Sequence, residues 1–313
     1  MKGGKRAIII DTDPGQDDAI AIWLAFAASA EIDVLALTTI AGNVPLPQAT
    51  LNALRLCAAV DVAVPRIHAG ADRPLLVPLE TAEFVCGPDG LAGAVDLPEA
   101  RGGPDAGHAA QAIIDILRRA EPGEVTICAL GPLTNIALAF RLAPDIVSKV
   151  QEIVLMGGAM GLGNITPAAE FNFYVDPHAA SIVINAGAPI TMFGLHVTHD
   201  VIATAPEIAA IAALSTKASR SVVGMMTRRR AGGLGTAGHP LHDPCVIAHV
   251  LWPDLFAGRD CFVDVETSAG PLRGHTTIDW NDRLRRSPTA RVTNQVDAPA
   301  FFHRLTGMLA KLP

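Results

Sequence analysis

The sequence predicts an α/β fold: a mostly parallel central sheet with helices on both faces, Rossmann-like at its core, plus a C-terminal helical region and a β-hairpin. Three observations predict it. Short runs rich in β-branched residues alternate with longer stretches of helical periodicity. The short runs are apolar almost throughout, which is how strands read when helices cover both faces of a parallel sheet. Most of those runs are followed by Asp, Gly or Asn, and ligands of such sheets bind outside the carboxyl ends of the strands.

The first strand spans residues 7–10, Ala-Ile-Ile-Ile. A Pro14-Gly15 turn breaks it from a helix over residues 19–28, and acids ahead of that helix suit the positive end of its dipole. Strand 34–40 and helix 51–60 form the next pair. Helix 108–120 precedes strand 125–130, which helix 133–142 follows. Strand 153–156, helix 178–185 and strand 190–193 complete the alternation. After Asp200 the pattern is helical to about Arg230. A glycine-rich link, Gly232-Gly233-Leu234-Gly235, then leads to a helix over residues 244–251. Residues 261–267 and 273–279, separated by Ser268-Ala269-Gly270-Pro271, read as a β-hairpin. No repeat or linker-like segment divides the chain, so residues 1–313 read as one domain.

Composition narrows the function. Of the 313 residues, 50% are hydrophobic and 18% charged, as in a well-buried globular protein. A net charge of −7 argues against a nucleic-acid backbone as partner. With Tyr174 the only tyrosine, a base-stacking platform for single strands is also disfavoured. Mean hydropathy is positive at +0.34, yet the longest apolar stretch, residues 19–30, is far short of the roughly 20 residues a membrane span needs. The basic start, Met1-Lys2-Gly3-Gly4-Lys5-Arg6, leads into a run too short for a signal peptide. Cys57, Cys86, Cys128, Cys245 and Cys261 are widely spaced, which reads as reduced thiols in a cytoplasmic protein.

Asp11, Asp13, Asp17 and Asp18 fall within eight residues directly after or at the end of the first strand. Carboxylates this close repel one another unless a proton or cation neutralises them. One acid would be a helix-start residue; four indicate a metal or catalytic site. Asp243, in Leu241-His242-Asp243-Pro244, reads either as a helix cap, like Asp176-Pro177, or as a site residue beside His242. The loop Gly161 to Asn172 offers Asn164, Glu170 and Asn172 around Phe171, suited either to turns or to a polyol's hydroxyls. Asn43 ends the second strand. Gly131-Pro132-Leu133-Thr134-Asn135 ends another, where a backbone carbonyl could face the site.

Taken in order, these segments resemble the signature of the inosine–uridine-preferring nucleoside hydrolases. The matching stretches are the turn Asp11 to Ala19, Ala41-Gly42-Asn43, Gly131 to Ala137, Met156-Gly157-Gly158, Ala169-Glu170-Phe171-Asn172 and His242-Asp243-Pro244. The resemblance implies a calcium-dependent hydrolase that splits the N-glycosidic bond of ribonucleosides to ribose and free base. It implies that Asp13, Asp18, Asp243 and the Leu130 carbonyl hold the calcium, an all-oxygen set that suits a hard cation. Asp13 is then the general base toward a calcium-held water, which attacks opposite the base and inverts C1′. Asp17 and Asn43 match contacts to the ribose diol. Asn164, Glu170 and Asn172 match contacts to the rest of the sugar, with Met156 and Phe171 also substrate-binding. A homodimer or homotetramer is implied as well.

The base side departs from the family pattern. Cys86, in Phe84-Val85-Cys86-Gly87, stands where the family often has histidine, as in a cysteine-variant subgroup; it reads as a pocket residue or as a small buried filler. The helix before the glycine-rich link lacks the usual tyrosine. Met226 and Arg230 are the substitutes at helical spacing, while Arg228 and Arg229 read as a solvated face. His242 is the candidate to protonate or orient the leaving base; His196, His199 and His239 read as structural. The sequence admits two other readings. One is a metal-dependent phosphohydrolase with Asp11 or Asp13 as nucleophile. The other is a non-catalytic nucleoside- or ribose-binding protein.

Overall fold

The computed structural model describes residues 4–60, 65–228 and 238–313. The chain opens with β1 (Arg6–Thr12), α1 (Gln16–Ala27), β2 (Ile32–Thr39), α2 (Leu46–Ala59) and β3 (Arg66–Ala69). A one-turn α3 (Glu83–Cys86) precedes α4 (Ala109–Arg119), β4 (Val125–Ala129), α5 (Thr134–Leu142) and β5 (Val150–Met156). Next come α6 (Phe171–Val175), α7 (Pro177–Ile184), β6 (Ile190–Phe193) and α8 (Leu195–Thr198). After β7 (Ile202–Ala203) lie α9 (Ala205–Ala212), α10 (Lys217–Thr227), β8 (His239–Pro240) and α11 (Pro244–Leu251). The chain closes with β9 (Phe256–Cys261), β10 (Val263–Val265), β11 (Thr276–Ile278), β12 (Ala290–Val296) and α12 (Ala298–Leu309).

Eight strands form the main sheet in the order β3-β2-β1-β4-β5-β6-β12-β9. All neighbours are parallel except β12 and β9. This is the expected mostly parallel α/β architecture. Side chains of a strand alternate between faces, so Ile8 and Ile10 enter one core while Ile9 enters the other. The first core packs α1, α11 and α12 on one side of the sheet; the second packs α4, α5 and α7 on the opposite side. Each isoleucine is fully buried, a gain of about 1.5–3 kcal/mol per side chain relative to exposure.

The strand order reverses at β1, whose neighbours β2 and β4 lead the chain outward in opposite directions. The crevice at such a reversal is where ligands of open α/β sheets bind. The strand expected over residues 7–10 extends to Thr12, because Asp11 sits opposite Thr38 of β2 and Ala129 of β4. Its acidic end is therefore fixed by the sheet and not left on a loop.

Differences lie mostly outside the core alternation. The expected hairpin is shorter, β10 against β11, and Cys261 instead ends β9, which pairs with β12 in the main sheet. The helical region after Asp200 divides into α9 and α10; Arg229, Arg230 and the glycine-rich link lie outside the described residues. All five cysteines are buried free thiols. Among the described residues no helix is long and apolar enough to cross a membrane.

Candidate active site

Sheet pairing and the Pro14-Gly15 turn bring the four acids of residues 11–18 into the protein interior. Asp11 uses Oδ1 to accept from Thr38 Oγ1 at 2.6 Å and from Asn135 Nδ2 at 2.8 Å. Burial outweighs these two bonds and pushes its carboxyl up to about 7. Asp13 accepts from the Asn43 backbone N–H at 2.6 Å through Oδ2, while its buried Oδ1 meets no donor among the described residues. Gly42 and Gly131 make room for this carboxylate: a Cβ on either would lie 2.1 Å or 2.4 Å from an Asp13 oxygen. Asp18 accepts from Thr12 Oγ1 at 2.6 Å, from Gly15 N at 3.0 Å and from Asn43 Nδ2 at 3.1 Å.

A fifth acid reaches this cluster from the far end of the chain. Asp17 Oδ2 accepts from the backbone N–H groups of His242 and Asp243, at 2.5 and 3.1 Å, and so pins the start of α11 to α1. Desolvation first, then the charges of Asp18, Asp17 and Asp13, holds Asp243 well above the usual carboxylate range. Burial and Asp18 do the same to Asp13. Mutual repulsion at this strength calls for a compensating positive charge.

The opposite wall comes from β4, β5 and the start of α6. Glu170 caps α6: Oε1 accepts from Asn172 N at 3.0 Å, and Oε2 accepts from Gly158 N at 2.9 Å and Phe173 N at 3.3 Å. Burial nevertheless raises its carboxyl to about 7. Asn172 Nδ2 donates to the carbonyls of Leu130 at 2.7 Å and Met156 at 3.0 Å, tying α6 to two strand ends. Asn164 Oδ1 accepts from Phe171 N at 2.9 Å.

The third wall is α3 with the residue before it. Cys86 is buried, and its thiol donates to the Ala82 carbonyl at 3.1 Å. Burial, then the nearby Asp13, pushes that thiol up to about 12, so it is neither thiolate nor nucleophile at neutral pH. His242, which lines the same cavity, pairs through Nδ1 with Thr198 Oγ1 at 2.7 Å, and its ring meets His199 edge to face at 5.4 Å.

One family model, the inosine-uridine preferring nucleoside hydrolase, matches residues 8–303. The chain belongs to this family. Like its relatives, the nucleoside hydrolase described here is an enzyme that cleaves the N-glycosidic bond of ribonucleosides. It is 37% identical to the pyrimidine-specific ribonucleoside hydrolase RihB of Escherichia coli over 301 residues, 95% of each chain. A solved plant nucleoside hydrolase superposes with a TM-score of 0.89 at 34% identity, covering 98% of this chain and 99% of its own. The purine-preferring ribonucleoside hydrolase from Gardnerella vaginalis superposes at 0.87 with 31% identity, covering 97% and 98%. The two relatives named for their base preference differ in it, so family membership leaves this chain's own preference open.

In the hydrolase, Asp17, Asn43, Cys86, Leu130, Met156, Asn164, Glu170, Phe171, Asn172, His242 and Asp243 all line one cavity. Asp13 and Asp18 are bonded to it through Asn43. Met226 lies apart: it is buried in the core around α1 and is not among the lining residues. Residues 82, 84, 85 and 165 (Ala82, Phe84, Val85 and Ile165) also line the cavity, as does Gln16. Sequence reasoning did not single them out. For the apolar four, the only available signal was proximity to Cys86 and Asn164. Gln16 donates to the Ala92 carbonyl and anchors the segment after α3.

The family is metal-dependent in general. The donor set here fits a hard cation: a buried Asp13 oxygen with no donor among the described residues, Asp243 near it with its carboxyl held well above the usual range, and no sulfur or imidazole required. Among the described residues, no group of three His, Cys, Asp or Glu side chains is gathered closely enough to hold a metal ion by itself.

Proposed function

We infer that this enzyme uses calcium, held by Asp13, Asp18, Asp243 and the Leu130 carbonyl, and that Asp13 is its general base. The observation that carries this reading is Asp13 itself. One of its oxygens is locked by the Asn43 amide; the other is buried and has no donor among the described residues. When bound, the cation supplies charge compensation for the carboxylates and a fixed place for water and the sugar hydroxyls.

The side chains account for the remaining chemistry. Asp13 takes a proton from water at Oδ1, and that water attacks C1′ opposite the base, which inverts the anomeric centre. Asp17 and Asn43 contact the ribose diol. Asn164, Glu170 and Asn172 contact the rest of the sugar, including the 5′-hydroxyl, and Met156 and Phe171 also bind the substrate. Positive charge grows on the ribose as the C1′–N bond breaks, and this surround of carboxylate and amide oxygens stabilises it where it forms. His242, its ring set by Thr198, orients or protonates the departing base. The proposal extends to one domain over residues 1–313, acting in the cytoplasm as a homodimer or homotetramer, which sedimentation velocity would test.

A phosphohydrolase is disfavoured by the lining. Among the described residues the cavity presents no Lys or Arg, so a phosphate dianion would face the carboxylates of Asp17, Glu170 and Asp243 with no Lys or Arg to offset them. Asp11, its alternative nucleophile, is wholly buried and engaged by Thr38 and Asn135. The direct test is ribose release from inosine, uridine, cytidine, adenosine and xanthosine with calcium present. Release from at least one is expected. Failure on all five by folded, calcium-loaded protein would contradict the reading.

A further inference from the structure

Two walls of the cavity are tied together by a segment that lines no part of it. Between β10 and β11 the hairpin turns through residues 266–275, none of which is a lining residue. The turn grips the loop that carries Asn164 and Glu170. His275 forms an isolated antiparallel bridge with Ala169, and its Nδ1 pairs with the Ala168 carbonyl at 3.0 Å. Gly274 takes φ +75° and passes so close to α6 that a Cβ there would lie 2.6 Å from the Tyr174 Cα. Only glycine meets both demands.

From that turn Arg273 joins two further segments. Its guanidinium lies over the Tyr174 ring, 3.6 Å from the ring centre, and Nη2 donates to Glu80 Oε1 at 2.6 Å. The Tyr174 hydroxyl points to the same carboxylate, 3.0 and 3.2 Å from its two oxygens. Tyr174 belongs to α6, and its amide donates to the Glu170 carbonyl at 2.9 Å. Glu80 lies just ahead of the opposite wall. Two residues on, the Ala82 amide donates to the Asn43 carbonyl at 3.0 Å, and the lining residues Phe84, Val85 and Cys86 follow.

An exposed ion pair contributes little by itself, and the Glu80 side chain is 47% exposed. Arg273 differs, with only 13% of its side chain exposed. It stacks on an aromatic face, which a guanidinium suits better than an ammonium, and it shares Glu80 with a second donor. Three side chains from three segments thereby hold one another in place.

We propose that Arg273 is a positioning residue of the hydrolase: through Glu80 and Tyr174 it fixes the spacing between the α3 wall and the α6 wall. The proposal rests on the cavity being the nucleoside site, as given under Proposed function. Asp13 stands outside this linkage, placed by its strand end, the Asn43 amide and the room left by Gly42 and Gly131. Loosening the tie therefore weakens the fit of the nucleoside and spares the chemical step. Such a loss of binding common to ground and transition states raises KM without lowering kcat.

The test is steady-state hydrolysis of inosine and uridine, with calcium present, by wild type, Arg273→Ala, Glu80→Ala and the double variant. Thermal unfolding checks that each is folded. Each single variant should raise KM about fivefold and leave kcat within about twofold of wild type. The double variant should stay within about twofold of the worse single, because both changes break one link. A tie that serves stability alone would lower the melting temperature and leave KM unchanged in both singles, which would overturn the proposal. Effects on KM that multiply in the double variant, or a kcat loss as large as the rise in KM, would also overturn it and leave the hydrolase reading intact. Wild type that turns over neither nucleoside would overturn both.

Discussion

Asp13 pays for its role in stability. It is fully buried beside two other carboxylates, and its ionised form is opposed by both desolvation and Asp18. Asp13→Asn removes the charge with little change of shape. Turnover should fall by at least about a thousandfold, yet the chelated variant should melt above chelated wild type, because repulsion is relieved. Thermal unfolding in chelator checks this; a lower melting temperature would contradict it. Glu170 offers a pH test. Its folded carboxyl is raised from 4.5 to about 7, so the folded state binds the proton more tightly than the unfolded chain. The associated stability is complete below about 4.5 and is lost as pH rises through about 7. Relative to Glu170→Gln, wild type should therefore lose stability across that window, measured by urea unfolding at several pH values. A flat difference would contradict the assignment.

At the scale of elements, legibility tracked sequence locality. The acids of β1 and α1 are neighbours in the chain, so their clustering was visible before folding. The strand's extension to Thr12 was not, because it depends on pairing with Thr38 and Thr39. Short β3, whose residues Arg66–Ala69 include His68, carries too weak a pattern to announce itself. Helical spacing marked Met226 as a candidate, but spacing cannot tell which face of α10 meets the core, and the core took it. Partners distant in sequence were equally hidden: Asn135 reaches Asp11, and Thr198 reaches His242, only through the fold. Asp176 shows the same limit. It reads as a cap, and it does cap α7 through Ala179 N at 3.0 Å; it also accepts from Leu75 N at 2.8 Å and Thr134 Oγ1 at 2.7 Å. Asp176→Ala should cost about 2–4 kcal/mol in chemical denaturation, more than a simple cap, because two further donors, the buried Thr134 hydroxyl and the part-buried Leu75 amide, lose their acceptor. A loss below about 1 kcal/mol would mean a cap alone.

Over the whole molecule, the sheet reversal at β1 gathers strand ends, the α6 cap and the start of α11 around one acidic cavity. The mostly parallel fold was legible because its strands are apolar runs alternating with helices. The apolar part of the cavity lining was not, since an exposed Phe84 and a buried phenylalanine look alike in sequence. An acidic centre assembled from both ends of the chain should couple folding to cation binding. Calcium at about a hundred times its Kd should stabilise the fold by about 2.7 kcal/mol, seen as a rise in melting temperature that Asp243→Asn diminishes. No calcium-dependent shift would remove the proposed ligand set.

The most direct measurement of the central claim is ribose release from inosine and uridine before chelation, after it, and after calcium is returned. The account predicts turnover in calcium, its loss on chelation and its recovery on return, with Asp13→Asn inactive throughout. Undiminished turnover by the chelated protein, or wild-type rates from Asp13→Asn, would contradict it.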